Sequence, residues 1–254
     1  MIRITKLAKL PLEYSKGTDS ARIVIAKRLN AEFFAKISKK FKSDEISFDT
    51  FERTLKEIIP SKSSVKVKKA ETGTENYGYT AFNSKNGINI NGWLIHLPEN
   101  KNGKISLDAI NTCLHETYHY FSQMAAPKES RRIAKLLEKG NERFMNVYNV
   151  LFYSDFPINK AVLSESLDRT LEKLSIGEKI DFLQYCRYNL RNEANAFAEG
   201  KKYSDLAKKL FENKFSVQSK EPDIKSFNFD MKLELLNDKL REVMKNHRNN
   251  PPAQ

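Results

Sequence analysis

Cysteine is scarce in this sequence: only Cys113 and Cys186 occur in 254 residues, far apart and each inside a helical pattern. A disulfide-stapled scaffold is therefore not expected, and a reducing compartment suits the chain. No run approaches 18 consecutive apolar residues, so no membrane-inserted helix is expected. The opening MIRITKLAKLPLEYSKG lacks both the long apolar core and the small-residue cleavage site of a secretory leader. The expected location is the cytoplasm, or a destination reached without such a leader, as for an injected bacterial effector. The sequence also lacks an arginine-rich block, a recognised DNA-binding motif and an internal repeat. Its net charge of +12 comes mainly from lysines spread along the chain, which is the pattern of a solvated exterior and disfavours nucleic acid as a partner. Histidine is rare as well, with four in the whole chain.

Two of those four stand in His115-Glu116-Thr117-Tyr118-His119, a complete H-E-x-x-H pentapeptide. Shuffling the composition would produce it with a probability of about 0.005 per chain. Apolar residues at Leu107, Ile110, Leu114, Tyr118 and Phe121 recur at helical spacing around it. Ser106 is a candidate N-cap and Asp108 a first-turn acid, which gives a helix from Ser106 to Gln123. Residues four apart on a helix share a face, so His115 and His119 can aim two imidazole nitrogens at one tetrahedral metal about 2.0–2.1 Å away. Glu116 lies one step round, where a carboxylate can take a proton from water acidified by zinc and return it to a leaving amine.

A catalytic zinc takes three protein ligands and keeps a fourth position open, so a further donor is required. His96 ends a strand, His247 lies in the polar C-terminal region, and no third histidine follows the pentapeptide at short spacing. A carboxylate is the expected donor, and Glu193 is the choice, with Glu165 and Glu199 as rivals. Alanines at 194, 196 and 198 around Glu193 suggest a helix able to approach another closely. For a carboxylate partner to a ligand imidazole, Asp168 and Glu199 are candidates. Tyr185 and Tyr188 are candidates for stabilising a developing oxyanion.

Here the chain resembles the gluzincin class of zincin-like metallopeptidases, in which the H-E-x-x-H helix is followed by a second helix bearing a glutamate ligand. The string Glu193-Ala194-Asn195-Ala196-Phe197-Ala198 is similar to the second motif of ImmA/IrrE-type minigluzincins. The two motifs and the order of sheet before helix cover about a fifth of the chain. The resemblance implies His115, His119 and Glu193 as zinc ligands and Glu116 as general base. The chain departs from those compact relatives in placing Glu193 74 residues after His119, which implies a helical insertion of about 128–180.

The expected fold is α+β: a zincin-like domain with a small sheet before the catalytic helix and a mostly helical C-terminal half. Residues 1–62 read as an N-terminal helical segment, 63–215 as the catalytic domain with its insertion, and 216–254 as a C-terminal helix and tail. Helices are expected over 20–41, 48–59, 128–151, 163–174, 180–199, 203–211 and 229–244, with breaks at Gly177 and Gly200 among others. Strands are expected over 64–68, 77–82 and 88–97, with Asn89 to Leu97 as the sheet edge open to an extended substrate. The expected activity is zinc-dependent hydrolysis of a peptide bond in a protein or peptide, by an effector or a regulatory protease. The rival is a metal-containing interaction module on the same scaffold that lacks catalysis.

Overall fold

A computed structural model describes residues 19–59, 64–70, 79–83, 92–125, 151, 159–172, 174–215 and 228–249. The expected helix over 128–151 lies outside these residues except at Leu151, and so do the turn following Asn83 and the extreme C-terminal tail. The described part is α+β, mostly helical with a small sheet. Chain contacts group into two compact units, one of residues 1–129 with 195–221 and one of 130–194 with 222–254.

In the first unit, α1 spans Asp19–Ile37 and α2 spans Phe48–Ile58. Ser47 caps α2 by accepting a hydrogen bond from the Thr50 amide at 3.2 Å, and Pro60 follows the end of the helix. Strands β1 (Glu45–Ile46) and β5 (Ile105–Ser106) pair antiparallel as a two-residue ladder. Strands β2 (Ser64–Lys69), β3 (Tyr79–Asn83) and β4 (Gly92–Leu97) form a mixed sheet in the order β2-β4-β3. β2 runs parallel to β4 with Val65 opposite Trp93, and β3 runs antiparallel to it with Thr80 opposite Ile95.

The strand expected at the edge is thus the central one. Trp93, Leu94, Ile95 and Leu97 are all buried, so β4 hides both of its faces, as a near-continuous apolar run requires. The edges fall to β2 and β3. Lys66, Lys68 and Lys69 of β2 are exposed, and the Val67 amide is taken by the Glu52 carboxylate of α2 at 3.0 Å. Charge and a side-chain cap thereby close that edge against further pairing.

A 3-10 turn over Leu107–Ala109 leads into α3, Ile110–Ala125. The Ser106 hydroxyl accepts from the Asp108 amide at 3.2 Å, and the Leu107 amide donates to Asp44 O at 2.7 Å, which pins the helix start to the β1 side. Glu45 of β1 accepts from Asn100, Asn102 and Lys104, and these partners hold its carboxyl down at about 2. Glu116 is the sole charged residue of α3, and a helix so nearly uncharged all round belongs inside. Its Cys113, Leu114, Tyr118, Tyr120 and Phe121 are buried together with Phe33 of α1 and Phe51 of α2. Phe33 meets Phe51 edge-on at 4.9 Å between ring centroids.

A buried polar pair fastens α1 to α3. The Asn30 amide donates to Leu114 O at 3.0 Å, and the Thr117 hydroxyl donates to Asn30 Oδ1 at 2.6 Å. Both residues are fully buried, so deleting the amide leaves polar atoms with fewer partners as well as a void. Asn30→Ala is expected to cost about 2–3 kcal/mol and to lower the thermal midpoint by about 4–10 °C. An unchanged midpoint would mean that this pair does not hold α3 in place.

The second unit contains α4 (Lys160–Leu171), the first part of α5 (Ile176–Phe211) and α6 (Phe229–Asn249). Leu163 and Leu167 of α4, Leu183 and Leu190 of α5, and Leu236 of α6 are buried in one apolar cluster. Lys232 is buried beside it and donates to Leu151 O at 2.8 Å.

The break expected at Gly177 is present, with α4 ending at Leu171 and α5 beginning at Ile176, one residue before that glycine. Gly200, by contrast, does not break a helix: it lies inside α5, which runs for 36 residues. At Gly200 the reason for glycine is space: a Cβ there would stand 2.3 Å from Asn111 Oδ1 and 2.8 Å from Asn111 O. Helical backbone without a Cβ lets α5 press against α3.

Candidate metal centre

Phe197 and Gly200 of α5 lie against α3. Glu193, Phe197 and Gly200 are spaced i, i+4 and i+7 and form one stripe. Gly200 abuts Asn111, and Phe197 meets the His115 ring edge-on at 4.5 Å between centroids. The numbering on α3 therefore rises as that on α5 falls, and the helices cross antiparallel. The division between the units falls within α5, just after Ala194. Helical continuity carries Glu193 one turn beyond Phe197 on the same stripe.

Ligand atoms of His115, His119 and Glu193 lie within 4.8 Å of one another. His115 Nε2 and His119 Nε2 are 3.0 Å apart, with their rings at 74°. Two donors bound tetrahedrally at about 2.05 Å are separated by about 3.3 Å, so the pair already has nearly the spacing an ion imposes. His119 is buried, while His115 and Glu193 are half-buried. The chemistry suits a divalent cation, because two imidazole nitrogens and one carboxylate oxygen are donor types that such an ion takes. Coordination through Nε2 would leave the proton of each ring on Nδ1. The group can hold a metal ion.

Glu116 is 4 % exposed and stays out of the donor group. Its Oε1 is 3.9 Å from His115 Nε2, and its Oε2 accepts a hydrogen bond from the Thr80 hydroxyl at 2.8 Å. The carboxylate thus stands beside the His115 ring without joining the donor group. Cys113 lies one turn before Glu116. Burial, together with the Glu116 carboxylate, pushes its thiol far above the ordinary range, and burial does the same to Cys186. Neither cysteine can serve as a thiolate nucleophile.

The other candidate residues are found elsewhere. Glu165 is exposed on α4 and pairs with Arg169 one turn on, while Asp168 accepts from Lys239. Both belong to the second unit's helices, where they act as surface charges. Glu199 is buried on α5 with Lys202 Nζ 3.6 Å away, about 120° round the helix from the Glu193 stripe. It stands outside the donor group, so of the three carboxylates Glu193 is the one brought to the histidines. Tyr185 is packed in the second unit's apolar cluster, and Tyr188 lies about 140° round α5 from Glu193. His96 Nδ1 is 3.2 Å from Lys69 O at the rim of an open cavity of about 740 Å³, also lined by Phe48, Val67 and Glu99. The side chain of His247 lies outside the described residues.

Sequence reasoning did not single out Thr80 or Asn30, and it read Phe197 only as part of the second motif and Gly200 only as a helix break. The contact each one makes is with a partner 36 to 89 positions away in the chain. No family model, curated protein or solved structure matches this chain.

Proposed function

We propose that this chain is a zinc-dependent metallopeptidase of the gluzincin type, hydrolysing peptide bonds in a protein or peptide. The observation that carries the reading is the convergence of His115, His119 and Glu193 with the buried Glu116 carboxylate beside them. A structural metal site needs no acid at that position, and burying one is costly unless it has work to do. When bound, zinc supplies Lewis acidity that polarises a carbonyl and makes water acidic near neutral pH.

The residues of the chain do the rest. His115 and His119 would hold the ion through Nε2 from a buried helix, and Glu193 would complete the set from α5. Glu116 takes a proton from the attacking water, whose oxygen bonds to the scissile carbonyl carbon. The C–N bond then breaks as Glu116 hands that proton to the amine nitrogen, so acid and base are one group used twice. Among the described strands β3, which carries Thr80, is an edge, and an extended substrate would pair there beside this carboxylate, since the opposite edge at β2 is capped by Glu52. No described helix is long and apolar enough to cross a membrane.

Metal analysis of the purified full chain tests the site. One zinc per chain is expected, with the ion visible by anomalous scattering between the three donors. Glu193→Ala is expected to weaken zinc binding by at least about 100-fold, since even outer-shell losses cost 10–100-fold. Undiminished affinity in that variant would remove Glu193 from the site. Zinc that is bound while a diverse peptide library stays intact would favour the interaction module over the enzyme.

A further inference from the structure

The Thr80 hydroxyl has a single hydrogen and two acceptors on one residue: Glu116 Oε2 at 2.8 Å and Glu116 O at 3.0 Å. It approaches from β3, and Glu116 sits on α3, so strand and helix are tied at the catalytic carboxylate itself. A glutamate side chain has three rotatable torsions, and backbone placement of Glu116 does not fix its carboxylate. The two oxygens are also inequivalent here. Oε2 is the one bonded to the strand, and Oε1 is the one turned toward His115, 3.9 Å from Nε2.

We infer that Thr80 is a positioning residue for the general base: it anchors Glu116 Oε2 so that Oε1 is presented to the water at the metal position. This inference rests on the peptidase reading. β3 is also the strand an extended substrate would line, which places the anchor of the base on the element that the substrate touches. A base held to within a fraction of an ångström needs such a partner, since loss of position by about 1 Å can cost about 100-fold in rate.

The test compares Thr80→Val and Thr80→Ser in the zinc-loaded full chain. Valine keeps the β-branched shape that suits the strand and removes the donor; serine keeps the donor and removes the methyl. The expected result for Thr80→Val is a fall in kcat of about 100-fold with KM, zinc affinity and thermal midpoint near wild type. Thr80→Ser should restore most of that loss. A crystal structure of Thr80→Val should find the Glu116 carboxylate displaced from its wild-type rotamer. A rise in KM at constant kcat, or failure of serine to rescue, overturns the assignment. If the zinc-loaded wild type turns over no peptide at all, the peptidase reading falls separately. The crystallographic arm then decides alone: an unmoved Glu116 carboxylate in Thr80→Val overturns the anchoring role, and a displaced one sustains it.

Discussion

Glu116→Gln is expected to bind zinc as the wild type does and to lose turnover by about 10²–10⁴-fold, the usual worth of a positioned general base. That loss corresponds to about 3–5 kcal/mol of transition-state stabilisation. The substitution is nearly isosteric, and the amide oxygen can still accept from Thr80, so the packing of α3 has no reason to change. Glu116 lies outside the donor group, and the ligand set is untouched. Stability supplies an independent sign. The amide keeps the Thr80 contact in a site that is 4 % exposed, so the variant should melt close to the wild type. Cleavage of a wild-type substrate at the wild-type rate by Glu116→Gln would end the proposed mechanism. A large fall in the melting midpoint would instead assign Glu116 a role in holding the fold.

What the sequence makes legible here is what helical and strand periodicity carry. The helix around the pentapeptide can be read from Leu107 to Phe121, because five apolar residues repeat on one face and the charges stop. The Ser106 cap can be read for the same local reason, and the structure has its hydroxyl on the Asp108 amide. The short β1 and β5 ladder cannot, since two residues have no period. The order of strands is equally hidden. Composition does hold a clue in retrospect: the apolar run Trp93 to Leu97 sits in the middle, and the lysine-bearing Val65 to Lys69 sits at an edge.

The choice of Glu193 shows how a residue can be singled out for an incomplete reason. Alanines 194, 196 and 198 are two apart, which on a helix turns Ala196 about 200° from Ala194 and puts Ala198 back within about 40° of Ala194, so the three cannot share one contact face. In the structure Ala196 is buried, Ala194 is half-buried and Ala198 is exposed. The residue that brings α5 onto α3 is Gly200, seven positions from Glu193 and on its stripe. Read alone, a glycine followed by two lysines suggests a helix end. Only the partner helix reveals that it is a contact, because one dimension of sequence does not record which faces meet.

Gly200→Ala should consequently damage the metal centre more than it damages the fold. A methyl group there would stand 2.3 Å from Asn111 Oδ1, 2.8 Å from Asn111 O and 3.4 Å from His115 Cβ. Asn111 is itself buried, so rotation of its amide relieves the first contact only in part, and the second is with backbone and can be relieved only by moving one helix off the other. Two opposing terms then act on stability. Alanine gains about 1 kcal/mol over glycine in a helix interior, while overpacking costs about 1–3 kcal/mol, so the net change is a loss of about 0–2 kcal/mol. No such offset protects the ligand geometry. Metal–ligand distances must hold to about 0.2 Å, and a shift of α5 relative to His115 and His119 moves Glu193 with it. Zinc affinity is expected to fall by about 10–100-fold, the range for disturbed support of a ligand set. Turnover at subsaturating zinc should fall with it. Gly200→Ala combined with Asn111→Ala should recover part of the affinity, because the closest contact goes while the backbone contact stays; a double-mutant cycle on zinc binding measures the coupling directly. Additive effects in that cycle, or wild-type zinc affinity in Gly200→Ala, would show that the close approach of these two helices does not set the position of the third ligand.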